Sequence, residues 1–164
     1  MVCMRDVTAA IKTERLTLRA LTPGEMDAAF EAIPPNIPRE RRAVYADKRA
    51  LMEAHPEEWL FCTIWLMELA GTDTAVGELG FKGPPADGAL EIGYGVEPRY
   101  RNRGYMKEAV AALCGYGLSH PGVTAITAQT EPENYASQNV LAACGFEKLD
   151  REGRMLRFRL TQDI

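Results

Sequence analysis

The sequence predicts a mixed α/β fold in which about four helices pack on the faces of a mostly antiparallel sheet of about seven strands. The first observation behind this prediction is the alternation of apolar and polar residues in several short segments, which is the period of a half-buried strand. The second is a change to helical spacing after Pro98. The third is the order of the elements, because strands and helices do not alternate regularly as they do in a doubly wound fold.

The first part of the chain predicts one strand followed by two helices. Apolar and polar residues alternate over residues 13–21, which indicates the strand. A helix is expected from Thr22 to about Ile33, because Thr22 can cap it and Pro23 suits its first turn, and residues 34–35, both proline, would end it. The second helix is expected over residues 39–55, which are rich in Arg, Ala, Leu, Met and Glu.

The middle of the chain predicts three consecutive antiparallel strands and a long helix. Residues 59–70 and 74–82 read as a hairpin, because a Gly-Thr-Asp turn separates two apolar segments. The third strand is expected over residues 90–96. Apolar residues then recur at helical spacing, which predicts a helix over about residues 104–118.

The last part of the chain predicts a strand, a short helix and a closing hairpin. The strand is expected over residues 123–130, and the helix over residues 135–143, ended by Gly145. Residues 146–149 and 155–160 are expected to form the hairpin, around a turn that contains glycine.

The overall composition limits the classes of protein to consider. The 164 residues, 46% hydrophobic and 26% charged, are expected to form one domain over residues 1–164. No apolar stretch is long enough to span a bilayer and no secretion signal is recognisable, so the expected location is the cytoplasm. A net charge of -4 argues against a nucleic-acid-binding protein, which would carry a basic surface.

The four cysteines indicate neither a metal site nor a catalytic thiol. Cys3, Cys62, Cys114 and Cys144 lie far apart without a C-x-x-C pair, and the sequence has only two histidines to supplement them. The last three have apolar neighbours, as is typical of small buried side chains. We therefore predict no metal and no cysteine chemistry.

A short basic turn between a strand and an amphipathic helix predicts an anion-binding site. The first N–H groups of a helix lack intrahelical partners and the helix dipole is positive there, so a pyrophosphate would fit. Gly104 lets the backbone approach the phosphate, and Arg101 and Arg103 add cationic donors. Neither a P-loop nor a G-x-G-x-x-G dinucleotide motif is present. An ordinary solvated basic turn is the alternative interpretation.

The segment Arg101-x-x-Gly104-x-Met106 resembles the R/Q-x-x-G-x-G/A signature of the GNAT superfamily of acyl-CoA-dependent N-acyltransferases. Other segments are similar, in the expected order, to the ribosomal-protein N-terminal acetyltransferase branch of that family. Residues 11–19 resemble its opening strand, residues 91–94 its central strand, and Asn134-x-x-Ser137 with Gly145-Phe146 its closing motif. The resemblance covers nearly the whole chain. Met106 departs from the signature, which has Gly or Ala there, and this departure concerns affinity for the coenzyme.

The resemblance implies a sheet with splayed central strands and a site for acetyl-CoA as acyl donor. The pantetheine arm would bond to the backbone of Gly95 and Val96. Gly93 and Gly95 suit a close backbone approach, although a purely structural bulge would also explain them. The coenzyme-binding residues implied in this way are Gly95, Val96, Arg101, Asn102, Arg103, Gly104, Tyr105, Met106 and Asn134.

The resemblance also implies a carboxylate that removes a proton from the attacking amine. Glu91 is the leading candidate, because it occupies the strand position where some family members carry this base. Its alternative role is an ion pair with a basic side chain across the sheet. Glu78 is the second candidate. Gln129 stands where other members place a glutamate, and an amide cannot act as a base.

The proton donor implied for the departing thiolate is Ser137, which matches a serine near the thioester sulfur in the ribosomal-protein branch. Tyr135 is a weaker alternative. Leu141 stands where many relatives place a tyrosine acid, so that role is vacant. Locally, Asn134 as a helix cap with Ser137 at the third helical position would explain both residues without catalysis.

The implied reaction is direct transfer of acetyl from acetyl-CoA to a primary amine, without an acyl-enzyme, because the sequence has no recognisable Cys-His pair. The acceptor is a protein N-terminus or a small-molecule amine, and the sequence does not choose between them. The alternative is a CoA-binding regulatory or ligand-binding domain with the same fold and little or no turnover. A homodimer through the sheet edge or the last hairpin is compatible with the sequence, but no motif indicates one.

Overall fold

The computed structural model describes residues 9–32 and 39–162, and in this part of the chain eight strands form one sheet. The strands are β1 Ala10–Lys12, β2 Leu16–Ala20, β3 Trp65–Leu69, β4 Ala75–Phe81, β5 Ala89–Val96, β6 Ala125–Thr130, β7 Glu147–Lys148 and β8 Leu156–Thr161. The α-helices are α1 Pro23–Glu31, α2 Arg39–Ala54, α3 Tyr105–Leu118 and α4 Tyr135–Ala143. This architecture confirms the predicted mixed α/β fold class.

The sheet has one strand more than predicted, because the first hairpin begins earlier in the chain. β1 pairs antiparallel with β2, with Ile11 opposite Leu18. The strand predicted over residues 13–21 is therefore shortened to β2, since residues 13–15 connect the two strands. A three-residue edge strand such as β1 offers too few positions for a period of two to be recognised in the sequence.

The strand order is β1-β2-β3-β4-β5-β6-β8-β7, and every neighbouring pair is antiparallel except β5 and β6. The parallel pair is joined by α3, which crosses one face of the sheet between the two strands, as parallel pairing requires. The sheet is thus mostly antiparallel, as predicted. Its only parallel pair within the described residues lies at its centre.

The sheet opens between β5 and β6, and this opening creates the site. The two strands pair only over residues 89–91 and 125–127. Beyond them, β5 remains bonded to β4 as far as Val96, while β6 remains bonded to β8 as far as Thr130. The splayed central strands that the family resemblance implied are therefore present.

The helices cover both faces of the sheet. α3 packs on the face that carries Phe81, Leu90 and Ile126, and a methyl group built on Gly117 of this helix would lie 2.8–3.2 Å from these three side chains. α1 and α2 lie on the other face, where Arg19 of β2 binds Glu25 of α1 at 2.6 Å. Because successive strand residues point to opposite faces, each central strand contributes side chains to both layers.

Residues 59–61 were predicted to begin a strand, and that boundary is wrong. They form a 3-10 turn in which Trp59 and Phe61 are buried, and the strand begins at Trp65. The Trp65 indole N–H donates to the Leu60 carbonyl oxygen at 3.1 Å and closes this turn. An apolar run that is buried on all sides has no period that would separate a turn from a strand.

The helix limits otherwise follow the sequence prediction closely. Thr22 caps α1, since its hydroxyl accepts from the Glu25 N–H while the Glu25 carboxylate accepts from the Thr22 N–H. The predicted end of this helix at Ile33 and residues 34–35 lies outside the described residues.

None of the helices that the structure describes combines the length and the apolar character needed to cross a bilayer.

Three of the cysteines fall within the described residues, and all three are free thiols. Cys62 and Cys114 are buried, and burial raises their pKa to about 11 and about 12. Burial also raises the pKa of the half-buried Cys144. These thiols are protonated at neutral pH, and therefore weak nucleophiles. Cys3 lies outside the described residues.

Candidate functional site

A cleft of about 570 Å³ lies where β5 separates from β6. Its walls are the end of β5, the loop that follows, the first turn of α3 and the first turn of α4. Every residue predicted to bind the coenzyme lines this cleft, namely Gly95, Val96, the six residues from Arg101 to Met106, and Asn134. Ser137, the predicted proton donor, lines it as well.

The loop at the outer end of the cleft has a backbone that only certain residues adopt readily. Asn102 and Gly104 both have positive φ, 61° and 80° respectively. Asparagine tolerates this left-handed region and glycine adopts it without steric cost. The loop therefore turns twice within three residues, which delivers the chain into α3 with the start of the helix against the cleft.

The start of α3 offers unpaired backbone donors to the cleft. The first intrahelical hydrogen bond runs from the Glu108 N–H to the Gly104 carbonyl oxygen at 3.1 Å. The N–H groups of Tyr105, Met106 and Lys107 precede this bond and have no acceptor within the helix. All three residues line the cleft, where the positive end of the helix dipole adds to their attraction for an anion.

Two arginine side chains of the loop are exposed beside these donors. Arg101 and Arg103 donate hydrogen bonds to backbone oxygens, those of Val96 and Arg99, each at 3.4 Å, and Arg103 also lies over the Tyr100 ring. Neither forms an ion pair with any carboxylate in the described parts of the chain. Both guanidinium groups therefore keep their charge free for an anionic ligand, which favours the anion-site prediction over a merely solvated turn.

Met106 does not obstruct the loop, although the signature has a smaller residue at this position. Its side chain is only 7% exposed and belongs to the hydrophobic core, together with Ala109 and Val110 of the same helix. Met106 lines the cleft although its side chain is nearly buried. The longer side chain is thus accommodated within the core.

Ser137 and Tyr94 meet across the cleft. Their hydroxyl groups share a hydrogen bond of 2.7 Å, and the Tyr94 hydroxyl also donates to the Ser137 carbonyl oxygen at 3.3 Å. Burial raises the pKa of Tyr94, and this outweighs the lowering effect of the bond to Ser137. Tyr94 is therefore a protonated hydroxyl at neutral pH. The pair forms a chain of two proton donors at the wall of the cleft.

Asn134 has the local role that the sequence left open. Its side-chain oxygen accepts from the Ser137 N–H at 3.1 Å, so it caps α4. This bond fixes the backbone of Ser137 and leaves the serine hydroxyl for Tyr94. Tyr135, the alternative proton donor, is 69% exposed and does not line the cleft.

The two candidate carboxylates occupy different positions along the sheet. Glu91 accepts from the Lys82 ammonium group at 2.7 Å and does not line the cleft. It lies four positions before Gly95, which corresponds to about 13 Å along a strand. Glu78 lies directly opposite Gly95 in the β4–β5 register, so their Cα atoms are about 5 Å apart. Neither carboxylate lines the cleft, and Glu78 is the nearer of the two to the lining residue Gly95.

Glu78 and Tyr94 approach the level of Gly95 from opposite faces of the sheet. Tyr94 shares a face with Leu90, which packs against α3, whereas Glu78 shares a face with Gly80, whose neighbour is the Lys48 ammonium group of α2. The Tyr45 hydroxyl of α2 lies 3.5 Å from the Glu78 carboxylate. A carboxylate and a hydroxyl pair therefore flank the same stretch of β5 from two sides.

The family model described as an acetyltransferase (GNAT) domain matches residues 15–147. The chain belongs to the GNAT acetyltransferase family. The match runs from the turn before β2 to the start of β7, and so includes the opened strands and both helices that line the cleft. The family that the sequence motifs resembled is therefore confirmed.

Relatives of this GNAT chain show the same assignment. YjdG, an uncharacterized N-acetyltransferase of Bacillus subtilis (strain 168), is 36% identical over 83 residues, which are 50% of this chain and 49% of YjdG. YoaA, a second uncharacterized N-acetyltransferase of that organism, is 26% identical over 158 residues, covering 84% of this chain and 82% of YoaA. The match thus spans about half the length of YjdG and most of the length of YoaA.

The fold of this GNAT chain is also found in solved structures. The ribosomal-protein alpha-N-acetyltransferase RimL in complex with coenzyme A superimposes with a TM-score of 0.71, at 16% identity, over 93% of this chain and 98% of RimL. This likeness concerns the fold. It agrees with the splayed sheet and the helix arrangement described above.

Sequence reasoning about this GNAT site missed Tyr94. The residue lies within the segment 91–94, which had identified the central strand, but no role was assigned to it. Strand alternation was the signal that would have found it, because Tyr94 shares a face with the apolar residues Leu90 and Ile92 and ends in a hydroxyl. Its partner Ser137 is 43 residues away and could not be inferred from spacing.

Proposed function

We propose that this GNAT-family chain, acting as one acyltransferase domain, transfers an acetyl group from acetyl-CoA to a primary amine. The observation that supports the proposal best is the cleft between the splayed strands, which ends at unpaired helix N–H groups and two unpaired arginines. The acceptor is a protein N-terminus or a small-molecule amine. The relatives that are named N-acetyltransferases support the transfer to nitrogen.

The residues present suit coenzyme A. Its pyrophosphate would be held by the N–H groups of residues 105–107 with Arg101 and Arg103, since both the backbone dipoles and the guanidinium groups favour an anion. Its pantetheine arm carries amides that need partners. Val96 directs its backbone N–H and C=O toward the side of β5 that β6 leaves unpaired, so it can supply partners as an added strand would. The backbone groups of Gly95 are directed toward β4, because the bonds from Lys82 to Glu91 and from Glu97 to Val76 fix the alternation along β5.

Acetyl-CoA supplies an acyl thioester, which a neutral amine can attack. Backbone donors at the end of β5 would stabilise the negative charge that develops on the carbonyl oxygen. Ser137 would donate its proton to the departing thiolate and recover one from Tyr94, through the hydrogen bond of 2.7 Å between them. Tyr94, which lines the cleft, would in turn regain a proton from water. This pair would thus fill the role that Leu141, a buried apolar residue, cannot perform.

Glu78 is the better placed of the two bases in this proposal. It lies at the level of Gly95 and on the face opposite Tyr94, so an amine could lose its proton on one side while the thiolate gains one on the other. Glu91 remains a second candidate that would act through water. Its ion pair with Lys82 is the structural role that the sequence had offered as the alternative.

Direct transfer without an acyl-enzyme is part of the proposal. Within the described residues no cysteine lines the cleft, and the Cys144 thiol lies 3.5 Å from the Lys107 carbonyl oxygen. Burial raises the pKa of this thiol. A covalent acetyl group on the protein, trapped with radiolabelled acetyl-CoA after denaturation, would contradict direct transfer.

The function is tested in two steps. Isothermal titration with acetyl-CoA measures binding, and thiol release in the presence of a panel of amines and N-terminal peptides measures turnover. We expect binding and release with at least one amine. Binding without release on any amine would favour the CoA-binding regulator, and absence of binding would refute the proposal.

The base is tested with a matched pair of variants. Glu78→Gln removes the proposed base, and we expect kcat to fall by about 10²-fold or more. Glu91→Gln makes the same chemical change in an ion pair outside the cleft, and we expect kcat to change little. A large loss confined to Glu91→Gln would reverse the assignment.

A further inference from the structure

Thr13, Arg15 and Glu108 form a cluster of side chains outside the cleft, and Arg15 contacts the loop at the outer end of the cleft. Arg15 stands in the β1–β2 connection, 93 residues before Glu108 of α3. The Arg15 Nε donates to one carboxylate oxygen of Glu108 at 2.8 Å, and the Arg15 backbone N–H donates to the other at 2.9 Å. The Thr13 hydroxyl donates to the same carboxylate. Three donors from one turn therefore converge on a single carboxylate in the first turn of α3.

The ionisation state of Glu108 suits this arrangement. Burial opposes its ionisation, but the hydrogen bonds from Thr13 and Arg15 outweigh burial and lower its pKa. The Glu108 side chain is 19% exposed and that of Arg15 is 43% exposed, so the contact is partly shielded from water. Glu108 is thus a charged anchor at neutral pH, and it holds the Arg15 guanidinium group in one place.

The anchored guanidinium group reaches the loop itself. Its Nη1 donates to the carbonyl oxygen of Arg103 at 2.8 Å, and its plane lies over the Tyr105 ring, 4.6 Å from the ring centre. Its Nη2 lies 3.2 Å from the place that a Cβ on Gly104 would occupy. Arg15 therefore contacts three consecutive residues of the loop, and each of them also lines the cleft.

The bond to Arg103 fixes the direction of a backbone donor. In a planar trans peptide the C=O and the following N–H point in opposite directions. A carbonyl of Arg103 held toward Arg15 therefore turns the N–H of Gly104 away from Arg15, and Gly104 lines the cleft whereas Arg15 does not. Without this contact the peptide between Arg103 and Gly104 is free to rotate, because glycine accepts either orientation.

We propose that Arg15, anchored by Glu108 and Thr13, is a positioning residue that presets the 103–105 backbone for the pyrophosphate of coenzyme A. The inference rests on the proposed function. It assigns a role to the turn between β1 and β2, whose residues do not line the cleft. Affinity for the pyrophosphate then depends on a guanidinium group that acts through the backbone, in addition to Arg101 and Arg103, which face the ligand directly.

The test compares Arg15→Met with Arg19→Met. Arg19 lies on β2 and binds two carboxylates, those of Glu25 at 2.6 Å and Glu68 at 3.1 Å, but these contacts do not reach the loop. Arg15→Met loses one ion pair and Arg19→Met loses two, so the control removes at least as much charge pairing. We expect Arg15→Met to weaken CoA binding by about tenfold or more in isothermal titration, the effect of losing one good charge-assisted bond, and Arg19→Met to leave it within about twofold.

A truncated ligand separates positioning from general damage. S-acetylpantetheine lacks the pyrophosphate, so kcat/KM for this donor should be the same in Arg15→Met and in the wild type, while kcat/KM for acetyl-CoA falls. Glu108→Gln should weaken CoA binding in the same direction, because it releases the anchor and leaves Arg15 in place. Arg15→Lys keeps the charge but cannot span Glu108 and Arg103 together, and an intermediate affinity is expected.

The outcomes are distinct. Wild-type protein that does not bind CoA would refute the proposed function itself. If the wild type binds CoA and Arg15→Met binds it equally well, the positioning role fails and the proposed function stands. An equal loss with acetyl-CoA and S-acetylpantetheine would show a structural defect and would also overturn the positioning role. A loss with acetyl-CoA that is absent with S-acetylpantetheine would support it.

Discussion

Replacement of Gly117 by alanine is a direct test of how closely α3 packs on the sheet. Gly117 is buried near the end of the helix, where it faces β4, β5 and β6. A Cβ at this position would lie 2.8 Å from Phe81 Cζ, 3.0 Å from Leu90 Cδ1 and 3.2 Å from Ile126 Cδ1. All three neighbours are themselves fully buried, so none can move aside without disturbing the core.

The magnitude follows from a comparison with Gly115 in the same helix. Gly115 is exposed, and a Cβ built there has no atom within 4 Å. Alanine at either position gains up to about 1 kcal/mol of helix propensity, since glycine is the poorer helix former. Alanine at Gly117 also overpacks the core, which costs about 1–3 kcal/mol. Gly115→Ala should therefore exceed Gly117→Ala in free energy of unfolding by about 1–3 kcal/mol.

Urea denaturation followed by far-UV circular dichroism measures both variants under one condition. We expect Gly115→Ala to unfold at a higher urea concentration than the wild type and Gly117→Ala at a lower one than Gly115→Ala, with equal denaturant slopes. If the two variants had the same free energy of unfolding, the close contact of α3 with the sheet would be refuted. A changed slope in Gly117→Ala alone would indicate a looser folded state and would also count against simple overpacking.

Two further predictions concern the loop and its anchor. Gly104→Ala forces a residue with a Cβ to adopt a φ of 80°, which costs about 1–2 kcal/mol of stability, and it should also reduce CoA affinity in titration. The control is Gly122→Ala, because Gly122 has a φ of 84° but does not line the cleft. This variant should lose similar stability and no CoA affinity. Because the folded pKa of Glu108 is below its ordinary value of 4.5, its stabilising effect is present above that pH and is lost as the pH falls through the lowered value. Glu108→Gln should therefore unfold with a shallower acid limb than the wild type in pH-dependent urea titrations, and identical limbs would contradict the ion pair.

The order of the elements and the lining of the cleft could be predicted because both depend on local sequence. Residues 90–118 contain a strand, a basic turn with Gly104 and an amphipathic helix, and each is recognisable from its own residues. The family signature lies within this segment. The backbone N–H groups that face the cleft follow from the position of the helix start alone. No contact from elsewhere in the chain was needed to predict the loop residues.

The contacts that the sequence did not reveal are those made between distant segments. Tyr94 meets Ser137 across 43 residues, and Arg15 meets Glu108 across 93. Tyr94 and Arg15 had each been recognised only as part of a segment that resembles the family. A sequence pattern predicts which face of an element a side chain occupies, but it does not predict which distant side chain contacts it. Glu91 illustrates the reverse case. Its position on the strand suggested a base, and only the structure shows that its carboxylate forms an ion pair with Lys82, which directly follows β4.

Met106 shows why a departure from a signature has to be judged from the direction of the side chain. In a helix the side chains point outward from the axis while the unpaired N–H groups at its start point along the axis, so one residue can serve the cleft with its backbone and the core with its side chain. In this chain the flexible methionine fills the space beside Ala109 and Val110, and its thioether chain adapts to an irregular cavity. The substitution is therefore accommodated by packing beneath the first turn of α3.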